Sequence, residues 1–332
     1  MPGGHHPFYG FPKVDDFGSL RSLRLVDVDI KDEVVVSLLA SCPHLQRLCI
    51  RASWATENVR VVDPLPNLKV LEISGCPRIR NLEISVMSLV SCTYIGKLIT
   101  FPFNEIPNVS ELTLGGNFAW SLIYEPKKHS SYSVRLVKLA LNINFPAADY
   151  LLRNDLPQLC SLKHLELNVM SPICQNLHIF TWLIKASPLL NEFRIKIYFL
   201  LCYFFKQNLV PHSQETVGIP PVFPELESYR CCHKNLKAFK MSGYVGCPRD
   251  DNFTLRLLEI APLVETVTID TESEYYEQKP WVYPRESGCI KGWDHKCICS
   301  RQGTGASTRI EAKERAEQLK FRFPPKMVLI IT

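Results

Sequence analysis

The chain has 332 residues, 46% hydrophobic and 21% charged, with a formal net charge of +5 at pH 7. A chain this long and this apolar can bury a sizeable core, which excludes disorder as its general state. Its cations are scattered, with no run of roughly five to eight Lys/Arg to imply nucleic acid. The longest fully apolar stretch, Ile197 to Phe205, is nine residues, less than half a membrane span.

Residues 1 to 17, rich in Gly, Pro and His, read as a poorly ordered start. From Leu20 a pattern sets in: LRSLRL (Leu20, Leu23, Leu25), LQRLCI (Leu45, Leu48, Ile50) and LKVLEI (Leu68, Leu71, Ile73). It continues as VSELTL from Val109, LVKLAL from Leu136, LKHLEL from Leu162, LNEFRI from Leu190, LKAFKM from Leu236 and VETVTI from Val264. These nine matches recur in long stretches every 23 to 28 residues.

Within each unit the second and third apolar positions are two apart, so on a strand both side chains fall on one face. One strand of this kind cannot bury that face alone, and stacking its neighbours into a parallel sheet supplies the core. The pattern is the mark of a leucine-rich-repeat solenoid. The expected fold class is therefore α/β, with a parallel sheet on the concave face and short helices and loops on the convex face.

Between strands, KDEVVVSLLASCPHL spaces Val34, Val35, Leu38 and Leu39 for one helical face, with Asp32 placed to cap it. The spacing shortens at IRNLEI (Ile79, Leu82, Ile84), only 11 residues after Leu68, which reads as a strand-and-turn repeat without a helix. The repeats occupy residues 18–223, irregular over 198–223, where Leu190 and Leu236 stand 46 apart. Two readings of the irregular stretch stand: a strand overrunning into a long loop, or an insertion that exposes a strand-prone apolar patch.

Residues 224–332 change character. Cys232 and His233 precede the strand NLKAFKMSGYVG with Gly243 and Gly246. An amphipathic helix from Phe253 to Ala261, the strand LVETVTID, a closing helix in ASTRIEAKERAEQLKFRFPP and a final strand KMVLII follow. In the closing helix Glu311 and Arg315 are four apart, and Ile310, Ala316 and Leu319 are placed to pack inward. This segment resembles the FBD region of plant F-box/FBD/leucine-rich-repeat proteins, and LKVLEISGCPRIRNLEI and IPNVSELTLGGN are similar to that family's repeats. The resemblance spans residues 17 to 330 and implies an FBD-type C-terminal cap. Members of the family begin with an F-box, which docks on the adaptor of a cullin-type ubiquitin ligase; none is visible in Met1 to Gly18.

Catalytic signatures are missing: the sequence has no G-x-x-x-x-G-K-[ST], H-E-x-x-H, G-x-S-x-G or G-x-G-x-x-G. No catalytic residue, cofactor or metal is expected. GTGAS at Gly303–Ser307 lacks the preceding strand that a phosphate loop needs. Cys289, His295, Cys297 and Cys299 form C-x5-H-x-C-x-C, whose C-x-C pair is too tight for a zinc knuckle and has no second pair. Most of the thirteen cysteines sit singly in repeats, as Cys42 and Cys76 do, and read as small buried fillers. With no secretory signal at the start, the expected location is intracellular, cytoplasm or nucleus, with free thiols and with the sequons at Asn108 and Asn252 unused.

The polar positions of the strands line the concave face. They include Arg24, Arg47, Arg51, Glu72, Glu111, Lys138, His164, Glu166, Arg194 and Lys196. Their signs run basic, then acidic, then mixed, which suits a protein ligand better than regularly spaced phosphates. The resemblance implies a non-enzymatic module that holds a substrate protein on this face, with a ligase adaptor as partner only if an F-box is supplied elsewhere. The other class is a ligase-independent scaffold or a small-ligand receptor on the same solenoid; neither nucleic acid nor membrane is expected.

Overall fold

The computed structural model describes residues 6–7, 17–62, 65–99, 108–144, 158–171, 177, 180–199, 233–272 and 309–332. The chain divides into two compact units, one of residues 1–143 with 157–162 and one of residues 144–156 with 163–332.

In the first unit a parallel sheet takes one strand from each coil: β2 (Ser22–Val26), β4 (Arg47–Arg51), β6 (Val70–Ser74), β8 (Ser91–Ile95), β9 (Glu111–Gly115) and β10 (Lys138–Asn144). Its register puts apolar residues in continuous rows. Leu23, Leu48, Leu71, Cys92, Leu112 and Leu139 are in line, as are Leu25, Ile50, Ile73, Tyr94, Leu114 and Leu141. From β4 onward nearly all of these are fully buried. The other side of the coils carries α1 (Asp32–Ala40), a two-stranded parallel sheet of β5 (Asn58–Val62) and β7 (Asn81–Ser85), then α2 (Asn117–Tyr124) and α3 (Ser130–Ser133). Near the start, β1 (His6–Pro7) pairs in parallel with β3 (Val28–Asp29).

The second unit repeats the scheme with β11 (His164–Ser171), β12 (Glu192–Phe199), β13 (Ala238–Ser242), β14 (Thr266–Asp270) and β15 (Val328–Ile331), all parallel. Its helices are α4 (Thr181–Lys185), α5 (Pro248–Ile260) and α6 (Arg309–Leu319). Phe193 and Phe239 stack at 5.6 Å on adjacent strands, and Phe253 of α5 meets both edge-on at 6.3 Å. Aromatic pairs in these geometries add to the energy of burial.

The coils are also tied by polar residues one position before the first apolar residue of the motif. There Asn67, Ser88, Asn108 and Asn235 donate from their side chains to carbonyls of the preceding coil: Pro43 O, Leu65 O, Met87 O and Pro188 O. Such bonds satisfy backbone groups that a turn leaves unpaired. The sequon residue Asn108 belongs to this ladder, at 2.5 Å from Met87 O.

Four local expectations change. IRNLEI is not a short repeat of the main sheet: Asn81–Ser85 is the return strand of its coil and pairs with β5. Alternation identifies a strand but not the side of the coil on which it runs. Asp32 does not cap α1, whose cap position is Lys31 without a side-chain bond; its carboxylate accepts instead from the Glu57 and Asn58 amides and from Asn58 Nδ2 at 2.8–3.0 Å. The helix expected from Phe253 starts at Pro248, where proline suits the first turn.

In α6, Ala312 packs inward with Ala316 and Leu319, while Ile310 is 70% exposed, because the buried stripe runs i, i+4, i+7 from Ala312. Arg315 binds Asp251 across to α5, Nε to Oδ2 at 2.9 Å. The Cys289–Cys299 cluster, Gly303–Ser307, Cys232 and the irregular stretch beyond Phe199 lie outside the described residues.

Candidate protein-binding face

Strand parity puts the residues between the apolar rows on the opposite face of each sheet. In the first unit the central row of this open face is Arg24, Cys49, Glu72, Thr93, Thr113 and Ala140. Flanking rows carry Ser22, Arg47, Val70, Ser91, Glu111 and Lys138 on one side, and Val26, Arg51, Ser74, Ile95, Gly115 and Asn142 on the other. In the second unit the central row is Glu166, Arg194, Lys240, Thr268 and Ile330, flanked by the row that begins His164, Glu192 and by the row that begins Asn168, Lys196. All ten residues expected on the face stand on it.

These ten fall into two groups. Six are engaged within the fold. Arg51 Nη2 donates to Glu72 Oε1 on the neighbouring strand. Partial burial alone would raise the Glu72 carboxyl, but the hydrogen bonds and charge of Arg51, with help from Cys49 and Ser74, outweigh it and hold the group below its usual range. In the second unit Glu192 gathers His164 Nδ1 at 3.2 Å and Arg194 Nε at 2.6 Å. Its own desolvation is outweighed by these two partners, which hold its carboxyl low. Asn168 Nδ2 donates to Glu166 at 3.2 Å, and the Lys196 ammonium lies 4.7 Å from the centre of the Tyr198 ring.

The remaining four, Arg24, Arg47, Glu111 and Lys138, are exposed and form no ion pair among the described residues. They sit at the two ends of the first unit's sheet, on β2 and β4 and on β9 and β10. Glu111 and Lys138 stand opposite each other in register.

Cys49 lies at the centre of the arginine-bearing strands, yet it is not poised as a nucleophile. Burial, reinforced by Glu72, pushes its thiol up against the opposing pull of Arg51 and Arg24, and a raised thiol carries little of the reactive thiolate. The described cysteines are all free, and of them only Cys160 is exposed. Among the described residues no group of three or more His, Cys, Asp or Glu is placed to hold a metal, and no helix is long and apolar enough to cross a membrane. His233, part of the Cys/His pair noted in the sequence, is buried in a structural role. Its Nε2 donates to Ser187 O at 2.8 Å while Nδ1 accepts from the Leu236 amide at 3.0 Å, which assigns the tautomer from its partners.

Strand β8 escapes the L-x-x-L-x-L pattern, because Cys92 and Tyr94 stand where it asks for leucine. Its open-face residue Thr93 escapes with it. The signal was present in Leu89, Cys92 and Tyr94, three apolar residues at the offsets of the motif.

A family model described as "At1g61320/AtMIF1, LRR domain" matches residues 5–313. The chain is also 23% identical, over 274 residues, to the FBD-associated F-box protein At4g10400 of Arabidopsis thaliana. That alignment covers 80% of this chain and 59% of the relative, so the chain spans less than two thirds of the length of the curated protein it matches.

Proposed function

The chain belongs to the At1g61320/AtMIF1 leucine-rich-repeat family, and on that footing we propose that it is a non-enzymatic protein-binding module whose ligand lies on the open face of its sheets. The observation that carries this reading is the division of the charged residues on that face. Arg24, Arg47, Glu111 and Lys138 form no ion pair among the described residues, while Arg51, Glu72, Glu192 and Arg194 are held in pairs. Fixed pairs supply shape at little entropic cost on binding, and unpaired charges of both signs select a partner with the complementary pattern. The mixture is unlike the uniformly basic surface that phosphate backbones demand.

The finer reading is that the bound protein is a substrate for a cullin-type ubiquitin ligase. Its support is the likeness to an FBD-associated F-box protein and the FBD-like order of β13, α5, β14, α6 and β15. This predicts that the transcript carries an in-frame F-box and that the corresponding product co-purifies with a ligase adaptor. An intact transcript without an F-box, together with failure to recover adaptor, contradicts the ligase reading and leaves a ligase-independent scaffold.

A further inference from the structure

Strand β15 ends its sheet. Toward β14, the Val328 amide donates to Glu265 O at 2.8 Å and the Thr332 amide to Ile269 O at 3.0 Å. Backbone groups along a parallel strand alternate in direction, so the N–H and C=O of Leu329 and Ile331 point to the other edge. No strand pairs there among the described residues. Protein edges are normally protected by a lysine, a proline or a bulge, whereas β15 reads Val-Leu-Ile-Ile.

The same edge is apolar on both faces. Val328 and Ile330 are 56% and 43% exposed on the open face, and Leu329 and Ile331 are half-buried on the other. Beside them Phe321 is 91% exposed. A cleft of about 670 Å³ opens between α6 and β15, with Phe321, Leu329 and Ile331 on its apolar side and Glu314, Glu317 and Lys320 from the helical side.

We propose that the edge of β15, unpaired among the described residues, is a strand-docking site for an extended apolar segment of a partner protein, flanked by basic residues. Strand addition uses the unpaired backbone groups for affinity and the adjoining pockets for specificity. The apolar residues of the segment fill the space against Phe321, Leu329 and Ile331, and its basic flank meets the two carboxylates of α6. A second copy of this chain fits less well. Two four-residue edges paired about a twofold axis fall short of the roughly 1,000 Å² that a stable dimer needs. Val-Leu-Ile-Ile also brings no cation to Glu314 and Glu317. This site is independent of the open face discussed above.

The test is a fluorescence-polarisation titration of the full chain with a labelled peptide, Lys-Val-Thr-Val-Thr-Val-Lys. The expected result is saturable binding that disappears when alternate valines are N-methylated. It should weaken by about tenfold with glutamate flanks or with Phe321→Ser. Phe321 is exposed, so its variant is expected to melt with the wild type, and circular dichroism checks this. Absence of saturable binding at millimolar chain overturns the proposal, as does indifference to N-methylation or to Phe321→Ser. A self-dimer in sedimentation that Phe321→Ser dissolves would assign the edge to a second copy and equally overturn it.

Discussion

The most exposed consequence of the first unit's packing is a dependence of stability on pH that belongs to one histidine. His129, 1% exposed, lies in a directed chain of hydrogen bonds. The Ser121 hydroxyl donates to Phe118 O at 2.7 Å, so Ser121 Oγ is free to accept from His129 Nε2 at 2.9 Å. Nδ1 must then accept from the Tyr132 hydroxyl at 2.5 Å. A proton on Nδ1 would turn that acceptor into a donor inside a site closed by Phe118 and Tyr132 rings at 5.9 and 5.7 Å.

Burial lowers this imidazole from 6.5 to about 4, with Glu125 pulling the other way and Lys128 adding to the shift. Since the folded value lies below the unfolded one, the unfolded chain binds the extra proton first. The stabilisation is therefore complete above pH 6.5 and is lost as pH falls toward 4. At about 1.4 kcal/mol per tenfold change, the full loss is about 3 kcal/mol, of which about 2 kcal/mol falls between pH 7 and pH 5. Urea denaturation of wild type and His129→Gln at pH 7, 6 and 5 measures it. The wild type should lose about 2 kcal/mol more than the variant across that span. Parallel pH curves for the two proteins would refute the reasoning.

The second unit offers further checks. Phe253→Ala empties a fully buried site against Phe193 and Phe239 and is expected to cost about 3–5 kcal/mol in chemical denaturation. Gly243 has φ +78°, and a Cβ there would lie 2.3 Å from Ile197 O, so Gly243→Ala should cost at least about 1–3 kcal/mol, seen as a lower melting temperature. Arg315→Met removes the Nε bond to Asp251 and should cost about 1 kcal/mol, with faster amide exchange concentrated in α6. By contrast, Arg24→Glu with Arg47→Glu changes only exposed side chains and should leave stability within about 0.5 kcal/mol by the same denaturation assay.

The alternation of apolar residues made the open face legible before any coordinates, because parity along a strand needs no knowledge of its neighbours. What parity cannot convey is distance between coils. Arg51 meets Glu72 across 21 residues and His164 meets Glu192 across 28, and alternation along one strand carries no sign of either pair. The same blindness explains IRNLEI, whose return strand has the alternation of a main-sheet strand. Cys92 and Tyr94 hid β8 because the core asks for volume, which sulfur and an aromatic ring supply as well as leucine. Asp32 reads as a cap because a carboxylate at a helix start ordinarily serves there, whereas in the fold the amides of the next coil take it. In α6 two residues, a little over half a turn, separate Ile310 from Ala312, so only one of them can join the buried stripe of Ala316 and Leu319.

On the proposed reading the open face carries partner recognition, and Arg24 and Arg47, without an ion pair among the described residues, are its most separable part. The direct measurement is affinity capture from native tissue with wild-type chain and with the Arg24→Glu, Arg47→Glu variant, quantified by mass spectrometry at matched melting temperature. Proteins retained by the wild type are expected to be lost or reduced about tenfold with the variant. An unchanged partner set, recovered by a variant that is equally folded, would contradict that reading.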